Sequence, residues 1–202
     1  MRCDNSQLLS SSKRLELARY DNGLNPDMDQ KTAKAVNPVT LGYMKQLDLT
    51  KNRIRRAGVV VYSVIGDEIY FGLGVDSKHS EITDFGGSVE NRDKDAIDGA
   101  IREFREESLN AFGNLTRSMI SNCFVMHDAS TLIVFVHLSI DPQEVSNRFE
   151  LARRTAKTPE VDAIVWLSKD QLQSEINKEK DSIIYSVVRQ LMYRSSDFFD
   201  WL

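Results

Sequence analysis

The sequence predicts an α/β fold: a mixed sheet with helices on both faces, preceded by a helical extension. Three observations predict it. From Ala57 onward, β-branched runs of strand length mix with helical stretches but do not keep the strict alternation of an all-parallel sheet. The first 56 residues lack such runs and hold 11 Lys/Arg against 6 Asp/Glu, a net +5, while the remainder holds 15 against 24, a net −9. The 202-residue chain, 41% apolar and 28% charged, has room for one domain with an extension and not for two average ones. The division expected is a basic helical extension over 1–56 and a catalytic-sized domain over 57–202.

In the extension, Leu8, Leu15 and Leu17-Ala18 form one apolar stripe. Asn22-Gly23 and Asn25-Pro26 break it, and a second helical stretch begins at Asp27 or Asp29. Asn37-Pro38 interrupts again, because the residue before proline leaves the helical region. A last helical piece is expected over Leu41–Leu49, leading to the basic run Lys51–Arg56.

Val59–Ile65 is a continuous β-branched strand suited to burial on both faces. Gly66-Asp67 turns the chain into a hairpin partner over Ile69–Val75. Glu81–Phe85 is a short strand ending at Gly86-Gly87, and a helix spans about Asp95 to Asn110. Two strands follow at Ile120–Met126 and Thr131–Leu138. Pro142 opens a helix to about Arg154. Ala163–Leu167 is a strand, Ser168 caps a helix from Lys169, and Asp181–Tyr193 is a final amphipathic helix.

The chemistry concentrates between Gly86 and Ser108. On a helical wheel Ile97, Ala100, Ile101, Phe104 and Ser108 share the core face. Glu103, Glu106 and Glu107, spaced i, i+3 and i+4, gather on another. Carboxylates so close repel one another unless a cation sits among them, and a hard ion such as Mg²⁺ or Mn²⁺ takes oxygen ligands of this kind. Arg102 is placed to hold one of the carboxylates by a bidentate pair. The Gly86-Gly87 pair leaves backbone groups open to an ion or a phosphate. The plain alternative is an exposed acidic helix face; the preceding arginine, the interleaved core aromatic and the upstream Gly-Gly argue against it.

Arg102-Glu103-Phe104-Arg105-Glu106-Glu107 resembles the core of the Nudix box, with Gly87 matching the glycine that opens it. The resemblance implies a Nudix-like α/β/α sandwich over about Ala57–Arg194. It implies Glu103, Glu106 and Glu107 as metal ligands, joined by a backbone carbonyl of Gly87 or Gly86, with Arg102 as orienting partner. The spacing from Gly87, the glycine that opens the box, to Arg102 is one residue longer than usual. The expected loop glutamate has only Asp93 and Asp95 nearby, and Leu109 stands where a glycine is usual.

The activity implied is metal-dependent cleavage of a pyrophosphate linkage in a nucleoside-diphosphate-X substrate. Glu107 and Glu160, the latter in the loop before a strand, are candidates for the general base. Gly86, Arg92 and Lys94 are candidate substrate contacts. The run around Arg102 is similar to that of mRNA-decapping Nudix enzymes, and a basic arm over 1–56 suits RNA. A diphosphoinositol polyphosphate or small nucleotide hydrolase is the direct alternative, and a catalytically silent binding module the other. His127, His137 and Trp166 read as packing residues. Cys3 and Cys123 read as reduced thiols. No apolar run approaches the roughly 20 residues of a membrane span, and no secretion signal is visible, so a cytoplasmic protein is expected.

Overall fold

The computed structural model describes residues 39–46 and 53–200, all within the compact unit Asn37–Leu202. The two helices expected over 1–36, Cys3 and most of the proposed RNA arm lie outside the described residues.

Eight strands form one mixed sheet: β1 (Thr40–Tyr43), β2 (Arg56–Ile65), β3 (Glu68–Asp76), β4 (Ile82–Thr83), β5 (Phe85–Ser88), β6 (Phe124–His127), β7 (Thr131–His137) and β8 (Val161–Ser168). The order is β1-β6-β7-β2-β3-β4, with β5 also on β2 and β8 also on β3. Among the named strands of the described residues, β2 and β7 run parallel, Arg56 opposite Thr131 through Tyr62 opposite His137, and the other strand pairs are antiparallel.

Alternation along the central strands separates two cores. Val59 and Val61 of β2 and Leu132, Val134 and Val136 of β7 face one side, where Phe104, Val145 and Phe149 complete the packing. Val60 and the β7 residues Ile133 and Phe135 face the other, against Leu172, Ile176, Val188, Leu191 and Phe198. The first layer is built from α1 (Ala96–Glu107) and α3 (Pro142–Arg153), the second from α4 (Lys169–Asn177) and α5 (Ser186–Tyr193). The result is the α/β/α sandwich expected. None of the helices described is long and apolar enough to cross a membrane.

Local signals explain most boundaries. Asp95 caps α1 by accepting from the Ile97 and Asp98 amides, Asp141 caps α3 ahead of Pro142, and Ser168 with Gln171 forms a reciprocal capping box on α4. Four readings are corrected. Residues 40–43 form an edge strand on β6 where a helical piece is expected, because Leu41 and Tyr43 find partners in Met126 and Phe124. The glycines Gly86 and Gly87 do not end a strand; they lie inside β5, paired with Gly58 and Ala57. A short helix α2 (Arg117–Ile120) replaces the start of the strand expected from Ile120. The last helix begins at Ser186, because the backbone around Ile183–Tyr185 is bonded to Ile82.

Candidate active site

The site lies where β5 meets the C-terminal half of α1. One cavity of about 570 Å³ is lined by Gly86, Gly87, Arg102, Glu103, Glu106 and Glu107, and closed on its far side by the segment Ala156–Glu160 ahead of β8. The structure therefore brings Glu160, distant in sequence, to the carboxylates of α1. Its charge is one of the influences that raise the pKa of Glu103.

Arg102 is the hub. Its Nε and Nη2 donate to the two oxygens of Asp93, both at 3.0 Å, and Nη2 also reaches the Ser88 carbonyl at 2.8 Å. Its Nη1 donates to Glu103 at 2.9 Å and to Glu106 at 3.2 Å. The guanidinium thus ties the loop after β5 to two of the three helix carboxylates. The bond to Asp93 is the largest influence raising the Arg102 pKa, and the same bond lowers that of Asp93. Asp93 is thereby the loop carboxylate that the spacing left open, while Asp95 is occupied as helix cap and as partner of Arg117.

The three glutamates differ in surroundings. Glu103 is buried, and desolvation pushes its pKa up against the pull of Arg102. It fits because Gly87 has no side chain: a Cβ there would stand 2.6 Å from Glu103 Oε1. Glu106 is about half exposed and also faces Arg92 at 3.8 Å. Glu107 is pushed up to about 9, first by burial, then by the charges of Asp84 and Glu103. The Gly86 backbone bonds to its carboxylate, yet Oε2 is buried without a hydrogen-bond partner.

Beneath the site lies a pair that sequence reasoning missed. Asp84, fully buried, accepts from Arg56 Nη1 at 2.9 Å and Nη2 at 2.5 Å, and Arg56 Nη2 also reaches the Gly86 carbonyl at 3.1 Å. Burial works against the Arg56 charge, but Asp84 holds its pKa above the ordinary value. The signal was Gly58, a glycine inside a β-branched strand, which marks close approach of another chain. A Cβ there would meet Asp84 Oδ2 at 2.1 Å. Gly86 is thus held at its carbonyl by Arg56.

The remaining candidates stand further out. Arg92 is exposed and pairs with Glu90 at 2.7 Å, at the rim rather than in the cavity wall. Lys94 is exposed in the turn before α1 and does not line the cavity. His127 is buried in β6, His137 packs its ring 5.1 Å from that of Tyr62, and Trp166 covers Gly72.

Among the described residues, no three carboxylate, imidazole or thiol groups already stand together as an ion-binding group. Arg102 draws Glu103 and Glu106 onto itself, and Glu107 is engaged by Gly86. The donor set nevertheless fits a hard divalent cation: oxygens only, one buried without a partner, in a cradle that a side chain at position 87 would fill.

No family model matches the chain, and no curated protein matches it in sequence. Several solved structures are similar to it, a Nudix domain among them. An Ap4A hydrolase of C. elegans, in a binary complex, is 19% identical over 74% of this chain and 99% of that one, with a TM-score of 0.42. The Nudix domain of Shewanella oneidensis NrtR complexed with ADP ribose is 12% identical over 77% of this chain and 96% of its own, with a TM-score of 0.41. NrtR of the same organism complexed with a 27mer DNA is 11% identical over 73% of this chain and 62% of its own, with a TM-score of 0.40.

Proposed function

We propose that the chain is a Nudix-type hydrolase that cleaves a phosphoanhydride linkage in a nucleoside-diphosphate-X substrate, using Mg²⁺ or Mn²⁺. The observation that carries this reading is the gathering of Glu103, Glu106, Glu107 and Glu160 around one cavity beside the Gly86-Gly87 strand. With Glu90, five carboxylates line this space, more than Arg102 alone balances, and such a lining suits a cation shared with substrate phosphates.

Glu103, Glu106 and Glu107 would hold the ion, with the backbone of Gly87 beside Glu103. When bound, a divalent ion withdraws charge from phosphoryl oxygens and makes water at the site more acidic. Arg102 fixes the rotamers of Glu103 and Glu106 through its own anchor on Asp93. Glu160, exposed at the cavity edge and not among the three carboxylates that would hold the ion, is the better placed base. Water attacks one phosphorus, the anhydride P–O bond breaks, and the proton passes to Glu160. Both products end in phosphate.

Within this class the run around Arg102 and the basic extension 1–56 support the capped 5′ end of RNA, with diphosphoinositol polyphosphates as the direct competitor. The test is a panel of capped RNA, free cap dinucleotide, inositol pyrophosphate, ADP-ribose and dinucleoside polyphosphates, incubated with Mg²⁺ or Mn²⁺ and resolved by chromatography. Release of methylated guanosine diphosphate from long RNA but not from the free cap supports decapping with RNA held by the arm. Preference for inositol pyrophosphate retires it, and no turnover of any member retires the hydrolase in favour of a binding module.

A further inference from the structure

The segment that closes the cavity joins the end of α3 to the start of β8, and it is tied at both ends. Arg153, the last residue of α3, donates from Nη2 to Asp162, the second residue of β8, at 2.5 Å. The pair therefore closes a loop around residues 154–160, of which Ala156–Glu160 line the cavity. The Glu160 carbonyl accepts from the Ser77 amide, just past β3, at 2.9 Å. Among the described residues, Lys157, Thr158 and Pro159 make no hydrogen bond, and neither does the Glu160 carboxylate.

Asp162 meets Arg153 where β8 is bulged. Val75 pairs with Ala163, but Asp76 pairs with Val161, so Asp162 is the extra residue. Val161 and Ile164 both enter the first core although three positions apart, which strict alternation forbids and one inserted residue permits. The bulge thus re-aims the chain just where Glu160 precedes the strand. Arg153 is committed to the same contact: its Nε is buried without an acceptor, and among the described residues Asp162 is its one charged partner. The two side chains are 36% and 45% exposed, so the pair adds little to global stability. Its consequence is geometric, because a displacement of about 1 Å near the chemistry costs up to roughly 100-fold in rate.

We propose that Arg153 and Asp162 are positioning residues, whose ion pair fixes the base of this loop and so the place of the Glu160 carboxylate over the cavity. This rests on the hydrolase reading and on Glu160 as its base, but the tie itself is read without turnover. In the full chain, Asp162→Asn should speed hydrogen exchange of the amides over 154–161 on the order of three- to tenfold, leave α1 unchanged, and melt within about 3 °C of the wild type. In hydrolysis with Mg²⁺, Asp162→Asn and Arg153→Gln should each lower kcat on the order of tenfold with KM changed less than about twofold. The charge swap, Arg153→Asp with Asp162→Arg, should restore part of the loss. In a Glu160→Gln background the same substitutions should cost less than about twofold, since they act through Glu160. Unchanged exchange in the loop, unchanged kcat with the pair broken, or a full loss in the Glu160→Gln background would overturn the proposal. Faster loop exchange in a chain that cleaves no phosphoanhydride would retire the hydrolase, and Glu160 as base with it, and leave the tie standing.

Discussion

Arg102 grips Asp93 through two parallel hydrogen bonds of 3.0 Å, and with its remaining nitrogen holds Glu103 and Glu106. One buried guanidinium therefore sets the position of a loop and of two helix carboxylates together. Arg102→Ala leaves Asp93 and Glu103 buried without their counter-charge and should destabilise the fold by roughly 3–5 kcal/mol. Arg102→Lys keeps the charge but loses the fork, and should also lower activity. Urea denaturation of both variants checks this, and an unchanged midpoint in the alanine variant would contradict it. Because the pKa of Asp93 is lowered by the bond, its contribution is present above the ordinary carboxylate range and is lost as pH falls through the depressed value.

Glu107 works in the opposite direction. Its folded pKa is raised to about 9, so its charge is tolerated less in the folded chain than in the unfolded one. In chelator, stability should be full below the ordinary glutamate range and should fall as pH rises toward 9, by on the order of 3 kcal/mol at pH 7. Glu107→Gln should flatten that profile and remove stabilisation by Mg²⁺. Thermal melts between pH 5 and 8.5, with and without Mg²⁺, read both effects; a flat wild-type profile in chelator would show that burial at this carboxylate is tolerated without penalty.

Gly87→Ala separates function from stability. The added Cβ would stand 2.6 Å from Glu103 Oε1, so the carboxylate must move while the extended backbone accepts alanine without strain. Turnover should drop by ~100-fold for a displacement of about 1 Å, with melting close to that of the wild type. Parallel rates and melts decide the point, and unchanged turnover would detach Glu103 from the chemistry.

Arg56 and Asp84 should behave as a unit. Arg56→Met leaves Asp84 charged and buried, at a cost of roughly 3–5 kcal/mol, whereas replacing both with apolar residues should recover much of it. A double-mutant cycle measures the coupling. Additive losses would mean that the two do not support each other.

The fold is legible in the unbroken apolar runs of Val59–Ile65 and Thr131–Leu138 and in the α1 wheel, where burial decides most of the pattern; Val64 and Ile65, at the exposed end of β2, are the exception. The edge strand at Thr40–Tyr43 was not, since four residues gain strand geometry only from pairing with Phe124–His127. Glu103, Glu106 and Glu107 were legible from helical spacing, and Leu109 as a departure whose positive φ shows why glycine suits that place. Asp84 and Arg56, separated by 28 residues, were not, because only the β2–β5 pairing makes them neighbours. Spacing alone does not separate Asp93 from Asp95; the position of Arg102, which bonds both oxygens of Asp93, does.

The most direct test of the account is the rate of phosphoanhydride hydrolysis as Mg²⁺ is titrated, for the wild type, Glu106→Gln and Glu107→Gln. Saturable Mg²⁺ dependence in the wild type, with loss of rate of at least ~100-fold in both variants, is the predicted result. Hydrolysis that persists in chelator, or that survives both substitutions, would contradict a carboxylate-held metal centre at this site.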